Sequence, residues 1–318
     1  MPEFAIKDMF QEKQPLRGVL KELLMDHTTE KNIVWATDTY AQYGAYYHKE
    51  RQMFPDFNLN LILDGILLPR TQKTREQQKS RTKSKAEVFT PSWVCNKMNN
   101  FCDEEWFGRK DVFNTEHEES HTWTTTEGVI EFVPTKYKRK TEWQKYVDSR
   151  RIEITCGEAP FLVSPYDATT GQPIPIKDRI GIVDRKLRVV SENAATKDEW
   201  VKWATRAFEA SYGFEYQGDN LLFARINMVN TFIDYYEERF KEHPSFNDVR
   251  GIATIVSWNV WQMDGLTDKV PYGIPKDGPV QESLFEDKHD DEVEYCKIKD
   301  WRSKKILQYK SLKEKEKS

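Results

Sequence analysis

Residues 151–162 read RIEITCGEAPFL. RIEIT (151–155) is a short β-branched run of the kind that forms strands, and CGEAP breaks it at once into a turn. Cys156, Gly157 and Ala159 put small residues where a backbone could approach a ligand closely. Working outward from this stretch, Thr196 and Glu199 form a capping-box pattern that opens a helix running to Ala210. YGFEY (212–216) is a second short strand. Leu222, Ile226, Val229, Ile233, Tyr236 and Phe240 then recur at helical spacing and predict a helix packed on one side. GIATIVSW (251–258) reads as a third strand, continuously apolar as a buried parallel strand would be. Strand, turn, helix, strand, helix, strand is the pattern of an α/β, doubly wound, Rossmann-like sheet. Such sheets bind ligands at the carboxyl ends of their strands. The expected site therefore gathers the 153–162 turn, Glu215 after the second strand, and Asp264 after the third.

Upstream, NIVWAT (32–37) and LNLILDGILL (59–68) read as strands or buried runs, and Pro91 to Phe107 as a helix with Pro91 at its first turn. The boundary is expected at 86/87, with an N-terminal region carrying a basic linker (1–86) and a larger domain after it (87–318). The 318 residues include 10 Trp, 14 Tyr and 17 Phe, enough aromatic bulk for a core despite a mean hydropathy of −0.77. No apolar run reaches the length of a membrane span, and MPEFAIKDMFQEK has no leader-like apolar stretch, so the expectation is a cytoplasmic protein with no membrane partner. Cys95, Cys102, Cys156 and Cys296 show no metal or disulfide spacing, which fits thiols in a reducing compartment.

Lysine plus arginine total 48 against 52 acids, a net charge of −4, but the charge is uneven. Residues 69–86 carry Arg70, Lys73, Arg75, Lys79, Arg81, Lys83 and Lys85 against Glu76 alone. Residues 136–151 add Lys138, Arg139 and Lys140 among seven cations, and the stretch from Lys297 is basic again. An acidic segment, 282–294, offsets them. The bland reading of any one run is a solvated surface; three together predict a phosphate-facing surface for double-stranded DNA.

The order of these features resembles that of S-adenosylmethionine-dependent DNA amino-methyltransferases, in the adenine-modifying group that includes the modification subunits of restriction systems. Their first motif, D-P-x-C-G-x-G-x-F-L, is similar to Glu153 through Leu162, with Glu153 in place of Asp and Ala159 in place of the second Gly. Glu87-Val88-Phe89-Thr90-Pro91 resembles their F-T-P signature. Gly213-Phe214-Glu215 with Ala224-Arg225-Ile226-Asn227-Met228 resembles the ribose-binding strand and the helix ending in A-R-x-N-[LM]. IVSWNVWQMDGL (255–266) resembles the segment ending in G-D-x-L. EVFTPSWVCN and CGEAP are also wording shared with bacterial and phage proteins described as restriction endonuclease subunit M.

The resemblance implies S-adenosylmethionine as cofactor and methyl transfer to the exocyclic amine of adenine. Thr90 and Pro91 would contact the methionine end. Glu153, Cys156, Gly157 and Ala159 would line the cofactor turn, Glu215 would hold the ribose and Asp264 the adenine. With no evident target-recognition domain, sequence choice would fall to the N-terminal region, an insertion, or a separate specificity or restriction subunit. The family's catalytic tetrapeptide [DNS]-P-P-[YFW] does not occur. Pro271-Tyr272 keeps its last two letters, and Asp300-Trp301, after a candidate strand at 295–299, supplies an acid and an aromatic in the better expected location. The alternative is a catalytically inactive methyltransferase-like subunit that binds DNA or cofactor. His117-Glu118-Glu119-Ser120-His121 spells the zinc-protease pattern, but its polar, Thr-rich flanks read as a solvated loop with no metal. Trp200, Trp203 and Phe208 read as core.

Overall fold

The computed structural model describes residues 15–85, 90–133, 141–273 and 294–315. Two short helices, α1 (Pro15–Gly18) and α2 (Leu20–Leu24), lead into a small hairpin of β1 (Met25–Asp26) and β2 (Lys31–Asn32). Next come α3 (Pro55–Leu63), α4 (Arg75–Lys85) and α5 (Ser92–Phe107), then a hairpin of β3 (Asn114–His117) and β4 (Thr122–Thr125), and α6 (Glu142–Val147). The centre of the structure follows. It comprises β5 (Arg151–Glu153), α7 (Ile182–Asn193), α8 (Lys197–Glu209), β6 (Ser211–Glu215), α9 (Gly218–Phe240), α10 (Phe246–Asn259) and β7 (Val260–Gln262). A last hairpin, β8 (Lys297–Asp300) with β9 (Lys305–Gln308), precedes α11 (Lys310–Lys315).

Strands β5, β6 and β7 pair in parallel and in that order, so the protein is a mixed α/β structure built on a three-stranded parallel sheet with small hairpins around it. The strand order shows no reversal among the described residues, as a doubly wound sheet would require. Side chains alternate across β6 and β7 and divide the sheet into two faces. Val260 joins the main core with the helices, while Phe214 and Trp261 join a second cluster with Cys296 and Ile298 of the last hairpin. A hairpin therefore covers the face that a doubly wound sheet would cover with helices.

Three expected elements changed. GIATIVSW is not a strand but most of α10. Ser245 caps that helix by accepting from the Asp248 N–H at 3.1 Å. Val249, Ile252, Ala253 and Val256 are buried at helical spacing while Gly251 and Thr254 are exposed, a period hidden by the run's overall apolarity. The third strand is VWQ, immediately after it. Residues 59–63 lie in α3, started by Pro55 in its first turn. The candidate strand at 295–299 forms as β8, but it pairs antiparallel with β9 rather than joining the parallel sheet. The helices from Ser92, Lys197 and Gly218 agree with their sequence patterns, and Thr196 accepts from the Glu199 N–H as its capping role requires. Trp200, Trp203 and Phe208 are core residues.

The 86/87 boundary falls at residues outside those described. On both sides of it, side chains enter one core: Leu20, Trp35 and Ile62 cluster with Val183, Phe208 and Val229. Arg225, fully buried on α9, ties this union. Its Nη1 donates to the carbonyls of Leu23 and Met25, Nη2 to Ser257 and Nε to Val260. Gly218 lets α9 start against the N-terminal segment. Its N–H donates to the Trp35 carbonyl at 2.9 Å, and a β-carbon there would lie 2.1 Å from the Val34 oxygen. We expect Arg225→Met, which preserves bulk but strands four carbonyls, to destabilise the whole chain by about 3 kcal/mol or more. A single cooperative loss in urea melts would show this; loss confined to the N-terminal segment would contradict it.

Candidate functional site

The 154–162 turn is held at the carboxyl edge of the sheet by two buried carboxylates. The Cys156 N–H donates to the Phe214 carbonyl at 2.8 Å, extending the β5–β6 ladder by one rung. Beyond it the chain coils through left-handed φ at Thr155, Gly157 and Ala159. Glu153 turns back under the coil and accepts from the N–H groups of Phe161 and Leu162 at 3.3 and 3.0 Å. Glu215, at the end of the next strand, accepts from Gly157 N–H at 2.8 Å through one oxygen and from Gln217 N–H at 3.0 Å through the other. The Met263 N–H donates to the Glu215 carbonyl at 3.0 Å, which sets Asp264 beside it. Asp264 is half-buried and caps its own turn by accepting from Leu266 N–H at 2.9 Å. Thus Glu153, Cys156, Gly157, Ala159, Glu215 and Asp264 do share one edge.

Burial raises both buried acids. It pushes Glu153 up to about 8, against the pull of its two N–H donors and with help from the Glu215 charge. Burial likewise raises Glu215, opposed by the Gln217 and Gly157 N–H groups. Cys156 is a buried thiol that burial and the same two acids push up, which suits packing and not nucleophilic attack. Thr90 and Pro91 sit at the start of α5. The Cys95 thiol lies 3.7 Å from the Thr90 carbonyl, and Asn99 of the same helix donates to the Phe161 carbonyl at 3.0 Å, so this helix packs against the turn. The first free N–H of α5, on Ser92, already donates to Asp167 at 2.8 Å. The remainder of the F-T-P signature, Glu87 to Phe89, lies outside the described residues.

The basic stretch at 70–85 divides into two roles. Asp219 is fully buried at the head of α9. It receives Lys73 Nζ at 3.1 Å, Arg81 Nη1 at 2.9 Å and the Tyr40 hydroxyl at 3.0 Å. Although burial opposes ionisation, the Lys73 and Arg81 charges hold the Asp219 carboxyl well below its usual range. This corrects the expectation for Lys73 and Arg81: both are buried and their charges face Asp219, so neither faces phosphate. Arg75, Lys79 and Lys83 are exposed at i, i+4 and i+8 on α4, a straight row on the helix's outer side. Arg70 is half-buried, with its N–H donating to Glu158 at 2.7 Å beside the turn. The Lys85 side chain and Lys138, Arg139 and Lys140 lie outside the described residues.

The two catalytic candidates lie at opposite ends of the sheet. Tyr272 is 41% exposed on the carboxyl side, with its ring 6.4 Å from that of Tyr216, the residue after Glu215. Pro271 before it is buried. Asp300 and Trp301 are at the amino ends instead, which corrects their expected location. Asp300 accepts from Arg150, just before β5, at 2.8 Å, and Trp301 Nε1 donates to Asn259, just before β7, at 2.7 Å. A residue at that end cannot reach a ligand bound over Glu215 and Asp264.

His117 and His121 do not share a helical face. They flank the turn of the β3–β4 hairpin, where His117 pairs with the Thr124 hydroxyl at 2.7 Å and His121 stacks on Trp93 with centroids 4.1 Å apart. Sequence reasoning missed Glu158, Tyr166, Asn227 and Asp219. Tyr166 donates to Glu158 at 2.9 Å, and the Asn227 amide donates to both the Glu158 carbonyl and the Tyr166 hydroxyl. Asn227, in the A-R-x-N wording, thereby braces the turn from behind. The partners of Asp219 stand 138, 146 and 179 residues away in sequence, and no local pattern announces them.

No family model, curated protein or solved structure matches the chain, and the site is read from its own chemistry. That chemistry predicts a pH dependence. Glu153 binds its proton more tightly folded than unfolded, so stability falls as pH rises from the ordinary carboxyl value of 4.5 toward about 8. Burial holds His27 down to about 3, so its neutral form adds stability as pH rises to the ordinary imidazole value of 6.5; above that value the melting temperature of the wild type should decline. In Glu153→Gln the decline should be shallower, since the amide has no proton to lose. Parallel wild-type and variant curves would contradict this.

Proposed function

We propose that the chain is an S-adenosylmethionine-dependent, methyltransferase-type protein that acts on DNA, with the exocyclic amine of adenine as its target, in a restriction-modification or phage setting. The observation that carries this reading is the convergence of Glu153, Gly157, Glu215 and Asp264 at the carboxyl edge of three parallel strands, where open α/β sheets bind nucleotides. The Rossmann-like assignment rests on the same edge.

The residues fit the cofactor on two counts. Glu215 uses three of its roughly four acceptor positions on the N–H groups of Gly157, Gln217 and Tyr216, leaving capacity for one hydroxyl of a ribose. Ala159, where the resembling motif has Gly, is fully buried in the core, so its methyl is not exposed at the edge. Thr90 and Pro91 would hold the methionine end and Asp264 the adenine amine. When bound, the cofactor supplies an electrophilic methyl group. The protein's part is to orient it and to hold a base against an aromatic surface, for which Tyr272 beside Tyr216 is the group at the correct edge. Arg75, Lys79 and Lys83 would meet the phosphates.

A second reading, a subunit that binds cofactor or DNA without transferring methyl, is favoured by one observation. Asp300 and Trp301 stand at the amino edge, and the tetrapeptide survives only as Pro271-Tyr272. Calorimetry with S-adenosylmethionine and labelled transfer into duplex DNA separate the readings. Binding with label in DNA supports the enzyme, and binding without label supports the subunit. We expect Asp264→Ala to weaken cofactor binding tenfold or more; no binding by the wild type would sink both. For the α4 row, three phosphate contacts predict a slope of log affinity against log salt of about −2.7. Replacing Arg75, Lys79 and Lys83 together by Ala should abolish that slope, and an unchanged slope would refute the row.

A further inference from the structure

Residues 70–81 cross the carboxyl edge of the parallel sheet. At one end the Arg70 N–H donates to Glu158 of the 154–162 turn at 2.7 Å. At the other the Arg81 guanidinium donates to Gln217, two residues past Glu215, at 3.1 Å. Between them runs α4, whose eleven residues, REQQKSRTKSK, include no apolar side chain. Burial of apolar surface therefore contributes little to holding this helix in place, whereas α9 puts a broad apolar face into the main core. Arg81 is the one buried side chain among those described on α4, and it is the one that reaches α9. Gln78 ties the first turns of α4 to the carbonyls of Arg70 and Lys73, a tether within the crossing stretch itself.

The groups beneath Arg81 are polar as well. Its Nη1 donates to the Thr39 hydroxyl at 3.0 Å and stands 2.9 Å from Asp219, and its Nη2 lies 3.1–3.4 Å from oxygens of Gln217, Asp219 and Asn220. Asp219 also receives Lys73 Nζ at 3.1 Å and the Tyr40 hydroxyl at 3.0 Å. Two cations on one buried carboxylate have an asymmetric consequence. Removing the acid strands both cations, but withdrawing Arg81 leaves Lys73 and Asp219 as a matched pair. Water can replace the hydrogen bonds that Arg81 gives up, and no apolar side chain of α4 is bared. An opening with these properties lies well below global unfolding in free energy.

We propose that α4 is a strap across the carboxyl edge, latched by Arg81 on Asp219 and lifted as a unit when Arg81 withdraws while Lys73 keeps the acid paired. The Gln78 tether makes the helix pivot beside Lys73. Lifting uncovers Gln217 and the adjoining end of β6, the place that the reading above gives to the ribose of S-adenosylmethionine. The strap thus governs entry of a ligand to that edge. The entry role rests on the methyltransferase reading; the motion does not.

Hydrogen exchange of the full chain tests the motion. Arg81→Gln should speed exchange of the α4 amides by about tenfold or more and leave those of α9 and the parallel sheet unchanged. Asp219→Asn, which strands two cations, should speed exchange in α4 and at the head of α9 together. Should Arg81→Gln fail to fold, Arg81→Lys keeps the charge without the fork and should give a smaller rise confined to α4. Unchanged α4 rates, or a rise spread equally over α9 and the sheet, would overturn the proposal. Uncovering of the edge is read by iodoacetamide labelling of Gln217→Cys, followed on the peptide that carries it. Adding Arg81→Gln should speed that labelling about tenfold, and equal rates would show that α4 does not cover the edge. Neither readout needs a cofactor, so a wild type that binds no S-adenosylmethionine refutes the methyltransferase reading while exchange and labelling still decide the strap. Where the wild type does bind, Arg81→Gln should raise the association rate, and an unchanged rate would overturn the entry role.

Discussion

The hydrogen bond from the Gly157 N–H to Glu215 couples the turn after one strand to the end of the next, and the geometry of the carboxyl edge follows from it. Burying a carboxylate is tolerable only when donors surround it, and here the donors are backbone N–H groups of the turn itself. Glu153 does the same for the far half of the turn. The two acids are therefore both the floor of the candidate site and the reason the turn has one conformation. Asp219 extends the arrangement outward, since it fixes α4 and the head of α9 through opposite charge in a dry setting.

Much of this was legible in the chain. RIEIT followed by CGEAP announces a strand and its turn, and the stripe from Leu222 to Phe240 announces α9, because those patterns are local. GIATIVSW misled for a physical reason. A helix buried on most of its circumference and a strand buried on both faces present the same unbroken apolar text, and the Ser245 cap six residues earlier was the signal that separates them. The acids at strand ends were legible as candidates because strand ends are where ligands bind. Their hydrogen bonds were not, since each donor comes from a turn whose path depends on left-handed residues such as Thr155 and Ala159 that the sequence does not mark.

Charge was legible as a run but not as a surface. Helical period divides the 70–85 stretch: Arg75, Lys79 and Lys83 face out, while Arg81, six residues beyond Arg75, faces in and meets Asp219. A count of cations thus overstated the outward row, and burial reduced it to those a helix can present together. Asp300 was misjudged for a related reason. Following a strand says nothing of which way that strand runs, and β8 runs from the carboxyl end of β7 toward its amino end, as Cys296 near Gln262 and Trp301 near Asn259 show.

The β8–β9 hairpin has a further consequence for synthesis. Phe214 and Trp261 are covered on one side by Cys296, Ile298, Leu307 and Tyr309, all encoded after the sheet itself. During translation the three parallel strands emerge with that face bare, and it stays bare until the hairpin clears the ribosome. A nascent chain whose sheet has emerged before its hairpin would therefore expose an aromatic sheet face to every other chain nearby. That is the kind of transiently bare apolar face that chaperones shield.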